Sequence, residues 1–304
     1  MDHIQEAIHR LKKEKNAVIL AHTYQPGEVQ DVADFVGDSY GLSVQAAETQ
    51  KADIIIFAGV RFMAETAAIL SPDKRVIMPV VDAGCPMADM INPEELSAFK
   101  ASCPDYCVLC YVNSTAEIKA MSDICCTSSN AVKIARQIPK ERGIIFVPDK
   151  HLGSWIGEKT GHTMALWDGF CPTHARIEPG MVTKAKKKHP AAKVLMHPEA
   201  PKESRDLADE ILSTGGMCSF VKTDPGNEYI IATEIGIIHT LKKQNPEKRF
   251  FIPDDSITCP NMRKGSIQSV YDALVGTGGS IVTVEQTIAG KALGALQKML
   301  QMSK

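Results

Sequence analysis

Short apolar runs that end abruptly in polar residues punctuate the chain. Three of them, AVILAHTYQ (17–25), CVLCYVNST (107–115) and KVLMHPEAP (193–201), have strand length and β-type composition. Each finishes on two reactive side chains two positions apart: His22 and Tyr24, Tyr111 and Asn113, His197 and Glu199. That spacing puts both members of a pair on one side of an extended segment. After each run the pattern predicts a helical stretch (29–50, 115–122, 201–214) and a second strand (53–59, 123–129, 219–224). Another helix (60–70, 130–138, 227–244) and a third strand (75–82, 143–149, 249–255) follow. The loop after the third strand leads, directly or by a longer detour, to a Cys-Pro dipeptide.

The intervals repeat too. Tyr111 and His197 are 86 residues apart, and the same interval separates Cys103-Pro104 from His189-Pro190, Ser128 from Thr214, and Cys85 from Cys171. An interval of 89 links His22 to Tyr111, Tyr24 to Asn113 and Ser39 to Ser128, and one of 88 links Cys171 to Cys259. So many features on shared intervals predict one α/β unit present three times, over 1–100, 101–190 and 191–304. Alternating strands and helices imply parallel sheets with helices on both faces, a three-layer αβα unit with right-handed crossovers. Ligands of such sheets gather beyond the carboxyl ends of the strands, where every residue pair named above lies. Three units around a pseudo-threefold axis would aim these edges at one central cavity.

Composition adds limits. With 304 residues, 44% apolar and 23% charged, the chain is long enough for a large core and ordinary for a globular protein. A net charge of −2 gives no reason to expect nucleic acid or an anionic membrane as partner, and the basic cluster Lys184, Lys186, Lys187 and Lys188 reads as a solvated helix face. The N-terminal segment has the charges of an amphipathic helix without the apolar core of a signal peptide, and no window approaches a membrane span. A cytoplasmic setting is therefore expected, where nine cysteines serve as buried apolar residues or metal ligands rather than disulfides.

Of four Cys-Pro dipeptides, those at Cys85, Cys171 and Cys259 occupy equivalent places in the three units. Proline stiffens the loop after each thiol. Three thiolates suit an iron–sulfur cluster with one iron left open, since a four-iron cluster ordinarily takes four. Three unrelated core cysteines and a zinc site are the alternatives. Cys103, Cys107 and Cys110 form C-x₃-C-x₂-C, the spacing of radical S-adenosylmethionine enzymes, but Cys107 and Cys110 fall inside a predicted strand on opposite faces. Cys110, Cys125, Cys126 and Cys218 read as small buried hydrophobes. Ser39, Ser128 and Thr214 stand near helix starts, where hydroxyls and backbone N–H groups favour anions, and helix capping is the simpler account of each. GTGGS (276–280) lacks the Lys-Ser/Thr of a phosphate loop and reads as a turn.

The chain resembles the quinolinate synthase family over nearly its whole length. The resemblance is carried by AHTYQ with the later GDS, DAGCPMADM, CYVNSTAEIKA with TSSNA, PDKHLG, GFCPTH, MHPE with STGGM, and CPNM. It implies condensation of iminoaspartate with dihydroxyacetone phosphate to quinolinate, phosphate and water, within NAD biosynthesis. It also implies a [4Fe–4S] cluster on Cys85, Cys171 and Cys259, acting as Lewis acid through its open iron. The substrate-binding positions it implies are His22, Ser39, Tyr111, Asn113, Ser128, His197, Glu199 and Thr214. Tyr24 and His174 join as further active-site residues, so that Glu199, Tyr24, His197, His174 and Tyr111 are the candidates for proton transfer. Transient contact with the L-aspartate-oxidising enzyme that supplies iminoaspartate is expected as well. Some members carry two further cysteines before the third ligand; here those places hold Ser256 and Pro253, so a disulfide switch is not expected. For Glu199, burial beside an anionic substrate predicts a raised pKa.

Overall fold

A computed structural model describes residues 3–49 and 51–304; Met1, Asp2 and Gln50, the last closing the helix predicted over 29–50, lie outside the described residues. The chain forms three parallel sheets flanked by helices. The first holds β1 (Ala17–His22), β2 (Phe35–Gly37), β3 (Ile54–Ala58) and β4 (Arg75–Met78). The second holds β5 (Cys107–Tyr111), β6 (Ile124–Cys126), β7 (Ile144–Val147) and β8 (Met164–Leu166). The third holds β9 (Lys193–Met196), β10 (Glu210–Ile211), β11 (Glu228–Ala232) and β12 (Arg249–Phe251).

The strand orders are β2-β1-β3-β4, β6-β5-β7-β8 and β10-β9-β11-β12, one topology three times. Even the register recurs: Leu20 faces Phe35, Leu109 faces Ile124 and Leu195 faces Glu210, which are the 89- and 86-residue intervals of the sequence. The inner strands are buried on both faces, as β3 (IIIFA), β5 (CVLCY) and β7 (IIFV) show by having no exposed position. Continuous apolar runs without alternation are what parallel strands covered on both sides require.

The unit therefore has four strands, where the apolar pattern predicts three. The predicted helix over 29–50 is broken by β2, a three-residue edge strand, because Asp38 caps a new helix, Ser39–Glu48, by accepting the Gly41 N–H at 2.8 Å. Residues 219–224, predicted as a strand, close the helix Thr214–Thr223, whose start is fixed by the Ser213 side chain. The stretch 227–244, predicted as one helix, opens instead with β11 and becomes helical only at Ile237–Gln244. In each case a cap or a buried apolar run outweighs local propensity.

After Cys259 the chain leaves the repeat. The helix Ile267–Val275 packs on the first helix, His3–Glu14, and β13 (Ser280–Ile281) adds antiparallel to β4. The last helix, Gln286–Met302, lies against the helix Ala116–Ala120 and β6 of the second unit. Buried polar groups join the units. Gln30 Nε2 donates to the carbonyls of Thr23, Gln25 and Gly236, and its Oε1 accepts from Thr240. The buried Lys119 ammonium bridges the carbonyls of Ser114 and Phe62. Gly236 permits close approach, since a Cβ there would sit 2.6 Å from the Tyr24 carbonyl oxygen and 2.7 Å from its Cα.

Gly236→Ala consequently forces first and third units apart at Tyr24. It is expected to lower unfolding free energy by about 1–3 kcal/mol, the usual cost of overpacking, measured by chemical denaturation. An unchanged midpoint would show that this contact yields without strain.

Candidate active site at the junction of the three sheets

All thirteen residues singled out in the sequence line one cavity of about 230 Å³. From the first unit come His22, Tyr24, Ser39 and Cys85. The second supplies Tyr111, Asn113, Ser128, Cys171 and His174, the third His197, Glu199, Thr214 and Cys259. His22 and Tyr111 close β1 and β5 and His197 directly follows β9, Tyr24, Asn113 and Glu199 lie two positions further on, and the cysteines follow the last parallel strand of each unit.

Two pairs use one local device. The Tyr24 N–H donates to His22 Nδ1 at 3.1 Å, and the Glu199 N–H donates to His197 Nδ1 at 3.3 Å. Burial pushes both imidazoles down to about 3, against a weaker pull upward from Glu199. They are neutral at ordinary pH, and because Nδ1 accepts, Nε2 carries the proton. That of His197 points to Ser128 Oγ at 3.2 Å. Capping does not account for the hydroxyls: Asp38 and Ser213 are the caps, leaving Ser39 and Thr214 at the first turn facing the cavity. Asn113 Oδ1 is buried there with no hydrogen-bond partner, an acceptor left over for a ligand.

Glu199 is the most closely held group. Tyr111 Oη donates to its Oε1 at 2.5 Å, and His174 Nδ1 lies 2.8 Å from its Oε2. Burial alone would push this carboxyl up, but His174, His197 and the two hydrogen bonds outweigh it and hold the group below its ordinary value. The raised pKa expected at Glu199 is thus corrected: donors supplied by the second unit reverse it. The upward shift falls on Asp149, where burial dominates and Glu199 adds like charge. Tyr24 and Tyr111 are pushed well above their ordinary range, chiefly by burial, and stay protonated.

The three cysteines share a backbone setting. Their carbonyls accept the N–H four residues on, from Asp89, Ala175 and Arg263. Their sulfurs accept the N–H three residues on, from Ala88, His174 and Met262. Burial raises all three thiols, Cys85 to about 12, so only a bound cation would draw their protons off. Thiols with hydrogen-bonded sulfurs on one cavity wall fit an iron–sulfur group. Cys107 and Cys110 are buried within β5, Cys103 ends the helix Pro93–Ser102, and none of them lines the cavity.

Several residues of the site escaped the sequence reading. Asp149 and Glu234, each two positions past β7 and β11, accept the backbone N–H of a cavity cysteine: Cys171 to Asp149 at 3.1 Å, Cys259 to Glu234 at 3.2 Å. The equivalent place after β3 is Val60, and there the Arg61 N–H donates to Ala83 O instead. Thr233 is buried between Tyr24 and His174. Asp149 and Glu234 stand 85 residues apart, so the 86-residue interval passes one position beside the pair, and only matching the strand ends of β7 and β11 brings them into line. Asp38 sits at the same junction, its second oxygen accepting the Gly215 N–H at 3.3 Å.

A parallel-sheet protein with thiols and acid–base groups beyond its strand ends belongs to the α/β class that holds a catalytic site there. The family described as quinolinate synthetase A protein matches residues 6–301. Relatives named quinolinate synthase include one from Caldicellulosiruptor saccharolyticus, 47% identical over 100% of this chain and 99% of its own. Another, from Methanoregula boonei, is 50% identical over 98% of both chains, and one from Dehalococcoides mccartyi strain CBDB1 is 49% identical over the same shares. This chain belongs to the quinolinate synthetase A family. No helix among the described residues is long and apolar enough to cross a membrane.

The neutral imidazoles set a pH dependence. Unfolded, His22 and His197 take up protons near 6.5; folded, near 3. Between these values the unfolded state binds more protons, so stability falls as pH is lowered. The depressed Glu199 acts in the same direction below about 4.5, its ordinary value. The melting temperature of cluster-free protein is expected to drop from pH 6.5 to 4, and less steeply in His197→Gln. Equal slopes would place the titration elsewhere.

Proposed function

We propose that the protein is a quinolinate synthase of NAD biosynthesis, condensing iminoaspartate with dihydroxyacetone phosphate to give quinolinate, phosphate and water. The carrying observation is that one cavity receives a thiol from each unit together with the Tyr111–Glu199–His174 cluster. The relatives' shared name supports the same reading.

Cys85, Cys171 and Cys259 would hold the [4Fe–4S] group. When bound, it supplies a Lewis-acidic iron that withdraws charge from a substrate oxygen. The chain does the rest. Hydroxyls of Ser39 and Ser128 and the Nε2–H of His22 offer neutral donors to carboxylate and phosphate oxygens, while His197 Nε2–H backs the Ser128 oxygen and the Thr214 hydroxyl is engaged with Tyr24. Asn113 Oδ1 accepts from a substrate N–H or hydroxyl. Glu199, ionised and flanked by donors, accepts protons released as bonds to carbon and nitrogen form, and Tyr111 and His174 stabilise its charge. The apolar wall of Val60, Phe62 and Met63 limits water around the unstable imine.

One observation favours a second reading. Cys171 Sγ, a His174 ring nitrogen and a Glu199 oxygen lie within 4.8 Å of one another, a donor set for a single zinc ion. In that case Cys85 and Cys259 would be dispensable for metal.

Anaerobically purified protein is expected to carry about four irons with thiolate-to-iron absorption and to form quinolinate. Cys→Ser at 85, 171 or 259 should remove the absorption, whereas Cys→Ser at 103, 107 or 110 should keep it. The opposite pattern, or one zinc retained after loss of Cys85, would refute this cluster assignment.

Glu199→Gln keeps the shape and removes the ionised group. Iron content and dicarboxylate binding are expected to persist while turnover falls by roughly 10²-fold or more, the scale of a lost acid–base group. Near-normal turnover would leave Glu199 a binding residue only.

A further inference from the structure

Thr233 stands behind the cavity wall with its side chain fully buried, one position past β11. Its Oγ1 lies 2.6 Å from Tyr24 Oη and 2.8 Å from His174 Nε2. Beyond Tyr24 is Thr214 Oγ1, at 2.7 Å, and beyond His174 is Glu199, 2.8 Å from Nδ1. Five side chains from all three units thus form one hydrogen-bonded chain.

Counting protons gives the chain a direction. A carboxylate only accepts, so His174 Nδ1 carries hydrogen, shared with Cys171 Sγ at 3.2 Å. With the imidazole in its neutral form Nε2 then accepts, and the hydroxyl facing it is that of Thr233, which donates. Having spent its single proton, Thr233 must accept from Tyr24, and Tyr24 in turn accepts from Thr214. Donation therefore runs Thr214 to Tyr24 to Thr233 to His174 to Glu199, while Tyr111 donates to the same carboxylate from the other side.

We propose that Thr233 is a positioning residue for the reaction, whose hydroxyl links Tyr24 to His174 and holds His174 in the Nδ1–H form that serves Glu199. This rests on quinolinate formation as the activity. Thr233 touches no cavity surface, so it acts only through its two neighbours. Without the hydroxyl, Tyr24 Oη and His174 Nε2 face a dry gap. The imidazole is then free to move its proton to Nε2, and Glu199 loses a donor.

The test uses the iron-loaded enzyme with iminoaspartate generated in the assay. Thr233→Ser and Thr233→Ala both lack the methyl and differ by the hydroxyl alone; Thr233→Val keeps the shape. The expected result is a kcat lowered about tenfold or more in the Ala and Val variants, the scale of one lost hydrogen bond. KM for dihydroxyacetone phosphate and iron content should stay unchanged, and most of kcat should return in Thr233→Ser. Combining Thr233→Ala with Tyr24→Phe should cost no more than the worse single change, because both break one chain. Equal kcat in the Ser and Ala variants overturns the proposal, as do additive losses or a defect confined to KM or iron content. Since the Ser/Ala comparison stands by itself, a Thr233→Val protein that fails to fold leaves the test intact. A wild-type enzyme that makes no quinolinate refutes the activity instead, whereas turnover indifferent to Thr233→Ala refutes only the role of Thr233.

Discussion

A carboxylate placed almost out of reach of water must be met by donors, and the structure is organised around meeting Glu199. Its side chain keeps 3% of its accessible surface. Leaving such a charge unpaired would cost several kcal/mol, so the groups that reach it are not interchangeable decoration. Glu199 comes from the third unit, Tyr111 and His174 from the second, and the chain of hydroxyls behind His174 reaches the first through Tyr24. No unit alone can hold this ion. The inter-unit contacts at Gln30 and Gly236, which hold the first unit on the third, keep Tyr24 at hydrogen-bond distance.

Repetition supplied the backbone and divergence the chemistry. The same strand order and register place a residue two positions past His22, Tyr111 and His197, and those residues are Tyr24, Asn113 and Glu199. A donor, an amide and a carboxylate thus face one space from matching positions. The acid that anchors a cavity cysteine by its N–H occurs after β7 and β11, yet the first unit has Val60 at that place and fixes its loop through Ala83 O. Three carboxylates packed around the thiols would add like charge in a dry space, which burial makes expensive. An apolar residue in the third position avoids it.

The site was more legible than the secondary structure that carries it. Intervals of 86 and 89 residues survive because they measure chain length between equivalent strand ends, which insertions would disturb and side-chain changes do not. They located the cavity residues even while β2 and β10, two- and three-residue edge strands, went unread and β11 was taken as helix. Edge strands that short leave no periodicity to detect. The ionisation of Glu199 was misjudged for a different reason: desolvation can be guessed from a sequence, but the donors that overcome it come from 25 to 88 residues away and depend on packing. Thr233 was invisible on the same grounds, being an ordinary threonine at a strand end until Tyr24 and His174 close on it.

Around this anion burial, more than pairing, sets the ionisation of the wall, apart from Glu234, which meets Arg263 at 3.3 Å. The thiols, Asp149 and Glu234 are raised, the two phenols are raised, and His22 and His197 are lowered, each chiefly by loss of water. The thiols, phenols and these two imidazoles are thereby kept as neutral dipoles. An anionic substrate entering such a space meets oriented N–H and O–H groups, with the guanidinium of Arg176 among the lining residues as well. A bound cationic iron core would have the opposite effect on the thiols, favouring their ionised form. Glu199, held below its ordinary value while burial raises Asp149 and Glu234, stays ionised and able to accept a proton at neutral pH.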